Sequence, residues 1–198
     1  MFDLGGVLLD WNPRHLYRKL FPGDEAAMEH FLSTVCTQEW NQRQDAGRSF
    51  ADATRELLPH HADKLELIEA FGKRFGEMVA GEIQGSVDVL AELKRRGVPL
   101  YALSNWSAET FPPQRTRFPF LGWFDGIVVS GLEGVIKPDP RIFRVLVERY
   151  GIDPRAAVFI DDVAANAAAA EALGIHGIHF RSPEQLRREL VAVGLLAA

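Results

Sequence analysis

The chain has one cysteine, Cys36, in 198 residues. That excludes an intrachain disulfide and fits a reducing compartment. It lacks a basic excess: 22 Lys and Arg stand against 27 Asp and Glu, for a net charge of −5. No Lys/Arg stripe therefore argues for nucleic acid or for an anionic membrane. No apolar run approaches the roughly 20 residues that span a bilayer. No signal-peptide pattern precedes Asp3, and a cytoplasmic protein is expected. His60-His61 has no metal-ligand company. From Asn12 to Ala80 no stretch alternates as a strand does. The remainder is ordinary for a globular protein, with 47% hydrophobic and 25% charged residues.

Order along the chain is clearer than composition. Met1-Phe2 is an apolar entry that delivers Asp3, and Gly5-Gly6 follow as a tight turn. Only two residues precede Asp3, where a buried parallel strand runs about five. Either the first strand is stunted or residues are missing before it. Helical patterns then fill 12–80. Asn12-Pro13 and Asp24 read as helix starts, Ser49 with Asp52 as a capping box, and Pro59 as a stop. From Ser86 the rhythm changes to helix, glycine, apolar run, polar residue, repeated to the end. The apolar runs are Val98–Leu103, Ile127–Val129, Ala157–Ile160 and Ile175–Phe180. A helix is expected near Ala108, failing at Pro112-Pro113. This rhythm predicts an α/β fold with a doubly wound, Rossmann-like parallel sheet and helices on both faces. The core is expected over 1–11 and 81–198, with an all-helical cap over 12–80 inserted after the first strand.

Right-handed crossovers put all strand C-termini on one edge. Asp3, Ser104 and Asp161-Asp162 each end an apolar run, so they are expected to meet there, with Lys137 nearby. Like charges 4 Å apart cost about 4 kcal/mol at an effective dielectric of 20. Several carboxylates at one point therefore call for a cation. With no His or Cys beside them, Mg²⁺ suits better than Zn²⁺. A cation, a lysine and a hydroxyl around a carboxylate suit a phosphoryl group: the carboxylate attacks phosphorus and the others neutralise and orient its oxygens.

In four places the chain resembles the haloacid dehalogenase (HAD) superfamily of aspartate-nucleophile phosphohydrolases. The motifs are Asp3-Leu4-Gly5-Gly6-Val7, Leu103-Ser104-Asn105, Lys137-Pro138-Asp139-Pro140, and Phe159-Ile160-Asp161-Asp162 with Asn166. The helical insert looks like that family's small cap. The resemblance implies Asp3 as nucleophile and metal ligand. The Gly5 carbonyl, Asp161 and Asp162 complete the Mg²⁺ shell. Ser104 and Lys137 hold the phosphoryl group, and Asn105 lends its backbone amide or side chain. Gly6, beside the nucleophile, joins the substrate contacts. One departure stands out. The family's phosphatases usually carry a second aspartate two residues after the nucleophile, and here that position is Gly5. The subgroup that shares this loss resembles sugar-phosphate phosphatases. The loss implies a slow enzyme, a substrate with a good leaving group such as an anomeric sugar phosphate, or another acid, with Asp10, Glu39 and Asp45 as candidates.

The expected activity is thus Mg²⁺-dependent hydrolysis of a small phosphorylated metabolite by a monomer or homodimer. A metal-free 2-haloacid dehalogenase and a non-catalytic phospholigand-binding protein are the alternatives. In the cap, Trp40, Asn41 and Arg43 are expected to read the leaving group, Trp40 offering a stacking face or else filling the core. Trp11 and Trp106 are candidates for the pocket wall. Asn166 either fixes the Asp161 loop or faces water. The cluster Phe111, Phe118, Phe120, Trp123 and Phe124 reads as core or a self-association patch. His176 and His179, expected away from the edge, receive no role.

Overall fold

A computed structural model describes residues 1–197. In chain order its elements are β1 (Leu9–Trp11), α1 (Arg14–Leu20), α2 (Glu25–Thr34), α3 (Gln38–Asp45), α4 (Phe50–His61), α5 (Leu65–Lys73) and β2 (Val79–Glu82). Then come α6 (Gln84–Arg95), β3 (Tyr101–Ser104), α7 (Phe111–Arg117), β4 (Gly126–Val129), α8 (Ser130–Glu133), α9 (Pro140–Tyr150), β5 (Val158–Asp161), α10 (Ala164–Glu171), β6 (His176–His179) and α11 (Pro183–Ala192).

The strands form a parallel sheet whose centre is a single bridged residue. Phe2 pairs in parallel with Ala102 of β3 and with Ile160 of β5. Its N–H donates to Tyr101 O (2.9 Å), and its carbonyl accepts from Leu103 N (2.9 Å). Asp3 N donates to Ile160 O (2.8 Å). With β4 beside β3 and β6 beside β5, the order is β4, β3, Phe2, β5, β6. Side chains alternate across it with period two. Phe2, Ala102, Val129, Ile160 and Ile178 pack on one face. Met1, Leu103, Val128 and Phe159 pack on the other, with Ile142, Phe143 and Leu146 of α9. Both faces are buried, which explains the near-continuous apolar runs.

A second pairing has no counterpart in the expectations. β1 and β2 form a short antiparallel ribbon, Leu9 opposite Glu82 and Trp11 opposite Val79, with an irregularity between Asp10 and Trp11. Helices α1–α5 lie between its two strands in sequence, so both ends of the insert are tied at one place. At the first helix Pro13 stands at the N-cap rather than inside α1, and Asn12 Oδ1 accepts from Arg14 N (3.0 Å). The expected caps at Asp24 and Ser49 form. Asp24 accepts from Ala27 N (2.9 Å), and Ser49 accepts from Asp52 N (3.0 Å). Two further proline readings are corrected. Pro112-Pro113 sit in the first turn of α7 and start it, because proline's missing N–H is unneeded there. α4 runs through Pro59 to His61, giving up one backbone bond only near its end.

The aromatic cluster around Phe118 and Phe120 is core: both are buried, and Trp123 and Phe124 pack against them. Cys36 is buried too, and burial pushes its thiol up to about 12. Among the described residues no helix is long and apolar enough to cross a membrane.

Candidate active site

The sheet's C-terminal edge gathers the acids. One carboxylate oxygen each from Asp3, Asp161 and Asp162 lies within 4.8 Å of the others. Lys137 stands among them, almost wholly buried. Its Nζ is 2.7 Å from Asp161 Oδ2, 2.8 Å from Asp3 Oδ1 and donates to Leu103 O at 2.8 Å. Burial pulls the Lys137 ammonium down, but the Asp3 and Asp161 carboxylates outweigh it and hold its pKa above the ordinary lysine value. For Asp3 burial wins: it raises the carboxyl against the pull of Lys137.

Each acid is positioned differently. Asp161 has no exposed surface, and both of its oxygens have donors. Its Oδ1 accepts from Val163 N (2.8 Å) and Asn166 Nδ2 (3.0 Å), and its Oδ2 from Lys137. Asn166 therefore fixes the Asp161 loop. Asp3 is less satisfied. Lys137 Nζ sits close to Asp3 Oδ1, yet the angle is poor for a hydrogen bond, and this buried oxygen has no well-directed donor. Asp162 is at the exposed mouth. An all-oxygen trio of acids, with an under-satisfied buried oxygen and one lysine charge against three carboxylates, fits a hard divalent cation such as Mg²⁺.

Gly6 explains how Asp162 comes so close. Its φ is +73°, and a Cβ there would lie 2.2 Å from Asp162 Oδ2. Gly6→Ala is therefore expected to fold with a loss of about 1–2 kcal/mol from the left-handed backbone. It would also push the Asp162 carboxylate outward. Urea unfolding reads the first effect, and a weaker Mg²⁺-induced rise in melting temperature reads the second.

Above the acids lies a cavity of about 490 Å³. Asp3, Gly5, Gly6, Ser104, Asn105, Lys137 and Asp162 line its floor. The cap contributes Gln38, Asn41, Gln42 and Asp45 from α3, and the walls include Trp11, Phe75 and Trp106. Trp11 and Trp106 are thus pocket wall, as the sequence suggested. The Asn105 side chain is spent elsewhere: its Nδ2 donates to Lys137 O (3.0 Å) and its Oδ1 accepts from Lys137 N (2.8 Å). Only its backbone amide remains for a ligand.

Two cap expectations are corrected. Trp40 is 2% exposed and packs inside the insert, against Phe50 and Phe71, with Nε1 donating to Ala53 O (3.4 Å). Arg43 is exposed and paired with Glu56 (2.7 Å). The helical period gives the reason. Positions 38, 41, 42 and 45 share the face toward the cavity; 40 and 44 turn inward and 43 turns to solvent. Of the expected trio only Asn41 lines the site. Asp10, exposed and 3.0 Å from His15, and exposed Glu39 do not line it; Asp45 does. His179 is also corrected. It pairs with Asp161 in register, at the edge, and its Nε2 lies 3.1 Å from Asp162 O.

An α/β sheet with acids converging at its C-terminal edge beneath a helical insert is a hydrolase-like arrangement, and the chain's relatives agree with it. The family model "haloacid dehalogenase-like hydrolase" matches residues 1–174. The chain belongs to that family. It is 28% identical over 212 residues to acyl-CoA dehydrogenase family member 10 of Mus musculus, covering 98% of this chain but only 19% of that protein. It is 28% identical over 184 residues to sesquiterpene phosphatase astK of Aspergillus oryzae, covering 90% and 87%. A HAD family enzyme from Bacteroides thetaiotaomicron superposes with a TM-score of 0.73 at 23% identity, over 96% of each chain. The same enzyme in complex with magnesium and inorganic phosphate gives 0.69 at 23% identity, over 91% and 92%.

Proposed function

We propose that this chain is a Mg²⁺-dependent phosphomonoester hydrolase for a small phosphorylated metabolite, working through an aspartyl-phosphate on Asp3. The observation that carries the reading is the buried grouping of Asp3, Asp161 and Asp162 around Lys137. The phosphatase among its relatives and the phosphate complex of its structural neighbour support it. Asp3, the Gly5 carbonyl, Asp161 and Asp162 would hold Mg²⁺. When bound, the ion supplies positive charge against the transferring phosphoryl oxygens.

The chain's own groups do the rest. Asp3 Oδ attacks phosphorus and the bond to the leaving oxygen breaks; water then releases phosphate and restores the carboxylate. Lys137 draws charge from the phosphoryl oxygens, and the Ser104 hydroxyl with the Asn105 amide orients them. Insert residues 12–80 act as the cap that separates this chemistry from bulk water, over a core of 1–11 and 81–198. A sugar phosphate suits the cavity. The side-chain amides of Gln38, Asn41 and Gln42 can meet hydroxyls, and the faces of Trp11 and Trp106 can meet a sugar ring. The single buried Cys36 fits a cytoplasmic setting.

The test is hydrolysis of p-nitrophenyl phosphate and of phosphorylated sugars with Mg²⁺ and with EDTA, beside halide release from chloroacetate. Mg²⁺-dependent phosphate release, abolished by EDTA, is expected. Metal-independent halide release without phosphatase activity would replace this reading with the dehalogenase. Phosphate-dependent stabilisation with no turnover of any substrate would replace it with a binding protein.

A further inference from the structure

Asp45 has no part in the mechanism above, yet it sits in the same cavity. It ends α3, is 8% exposed and lines the site with Asp3 and Lys137. Its position is fixed from two sides. Asn41 Nδ2, one turn back on α3, donates to Asp45 Oδ2 (3.1 Å). Ser130 Oγ of α8 donates to its backbone carbonyl (2.5 Å), locking this corner of the cap onto the core. No cation pairs with its carboxylate among the described residues' ion pairs.

Elimination points the same way. The cavity has four ionisable groups: Asp3, Lys137, Asp162 and Asp45. Asp3 is the nucleophile of the proposed reaction, and Asp162 belongs to the acid trio. Lys137 donates to Leu103 O and Asp161 Oδ2 and stands 2.8 Å from Asp3 Oδ1, so it is held by the acids and is no free acid. Gly5, two residues after the nucleophile, carries no side chain, although a Cβ there would meet only Trp11 Cβ at 3.9 Å. Yet the expulsion of an alkoxide needs a proton, and water attack needs one removed.

We infer that Asp45 is the catalytic acid and base, supplied from the cap. In the first step Asp3 Oδ bonds to phosphorus, the bond from phosphorus to the leaving oxygen breaks, and the Asp45 proton goes to that oxygen. In the second, the Asp45 carboxylate takes a proton from water as its oxygen bonds to phosphorus, and the bond from Asp3 to phosphorus breaks. One proton leaves and one returns. The surroundings favour a carboxyl that holds its proton near neutrality. Burial raises it to about 7; a backbone hydrogen bond from Ser107 pulls it down, Asp3 raises it, and Lys137 lowers it.

This inference rests on the phosphatase reading, and the experiment separates the two. Wild type and Asp45→Asn are compared on p-nitrophenyl phosphate and on an alkyl monophosphate, with Mg²⁺. The alkyl substrate needs the proton; nitrophenolate leaves without it. The variant is expected to lose about 10²–10⁴-fold in kcat/KM on the alkyl phosphate. On the aryl phosphate it is expected to release about one equivalent of nitrophenolate in a burst, then turn over slowly as the phosphoenzyme accumulates. The fall in alkyl cleavage as pH rises through about 7 should vanish in the variant. Equal loss on both substrates with no phosphoenzyme, or no loss on either, overturns the inference while the phosphatase stands. A wild type inactive on all substrates overturns both. If Asp45→Asn fails to fold, Asp45→Ser carries the same comparison.

Discussion

Asp3→Asn abolishes turnover, by roughly 10⁴–10⁶-fold, and leaves the protein about as stable as its parent. The kinetic part follows from the attack step. The amide has no carboxylate oxygen to form the acyl phosphate, and losing a nucleophile removes nearly all rate enhancement beyond binding and charge stabilisation. The stability part follows from cancellation. The substitution gives up the contact between Asp3 and Lys137 at 2.8 Å. It also removes a buried negative charge from the neighbourhood of Asp161 and Asp162. Lys137 keeps its bonds to Asp161 and to Leu103 O, so no cation is stranded. The amide matches the carboxylate in shape, so no cavity opens. Nitrophenol release measures the first effect and a thermal melt the second. Full activity in the variant would move the nucleophile elsewhere; a collapse in melting temperature would make Asp3 a structural residue first.

Three parts of this site could be read from the apolar pattern because each ends a buried apolar run. An apolar run that stops at a polar residue marks the strand and its edge together, and Phe2-Asp3, Leu103-Ser104 and Ile160-Asp161 all do so. The ribbon was illegible because each of its strands buries only its first residue, so neither forms an apolar run that ends at a polar residue, and β2 includes Gly81. The cap misled for another reason. Its helix α3 reads as polar throughout, and a single large aromatic among polar neighbours suggested a ligand contact. Trp40 is instead the one residue there able to fill the insert's own core. The spacing held only half of the answer. Once Asn41 faces the cavity, a period of 3.6 sends Gln38 and Asp45 with it and turns Trp40 away. Which helix faces which surface is a tertiary fact, and no local pattern in 38–45 carries it.

The largest loss of stability is expected at Lys137→Met. In metal-free protein it should cost about 3–5 kcal/mol, because removing one partner leaves a buried charge uncompensated. Asp161 is that charge: it has no exposed surface, and its Oδ2 has Lys137 Nζ at 2.7 Å. Asp3 loses its cationic neighbour at the same time. Methionine fills the space and keeps the apolar stem, so the loss reports charge rather than a void. For a chain of this length it corresponds to a melting temperature lower by roughly 6–20 °C. Turnover should fall as well, by about 10²–10³-fold, the usual cost of deleting one group that stabilises transition-state charge. Two further melts separate this from mere mispacking. Saturating Mg²⁺ should recover part of the lost stability, since binding to the folded state alone adds to it. Asp3→Asn placed on Lys137→Met should recover part as well, because it removes one of the two stranded carboxylates, and the two changes should be non-additive. A loss below about 1 kcal/mol, or strict additivity with Asp3→Asn, would mean that the acids at this edge never needed the lysine between them.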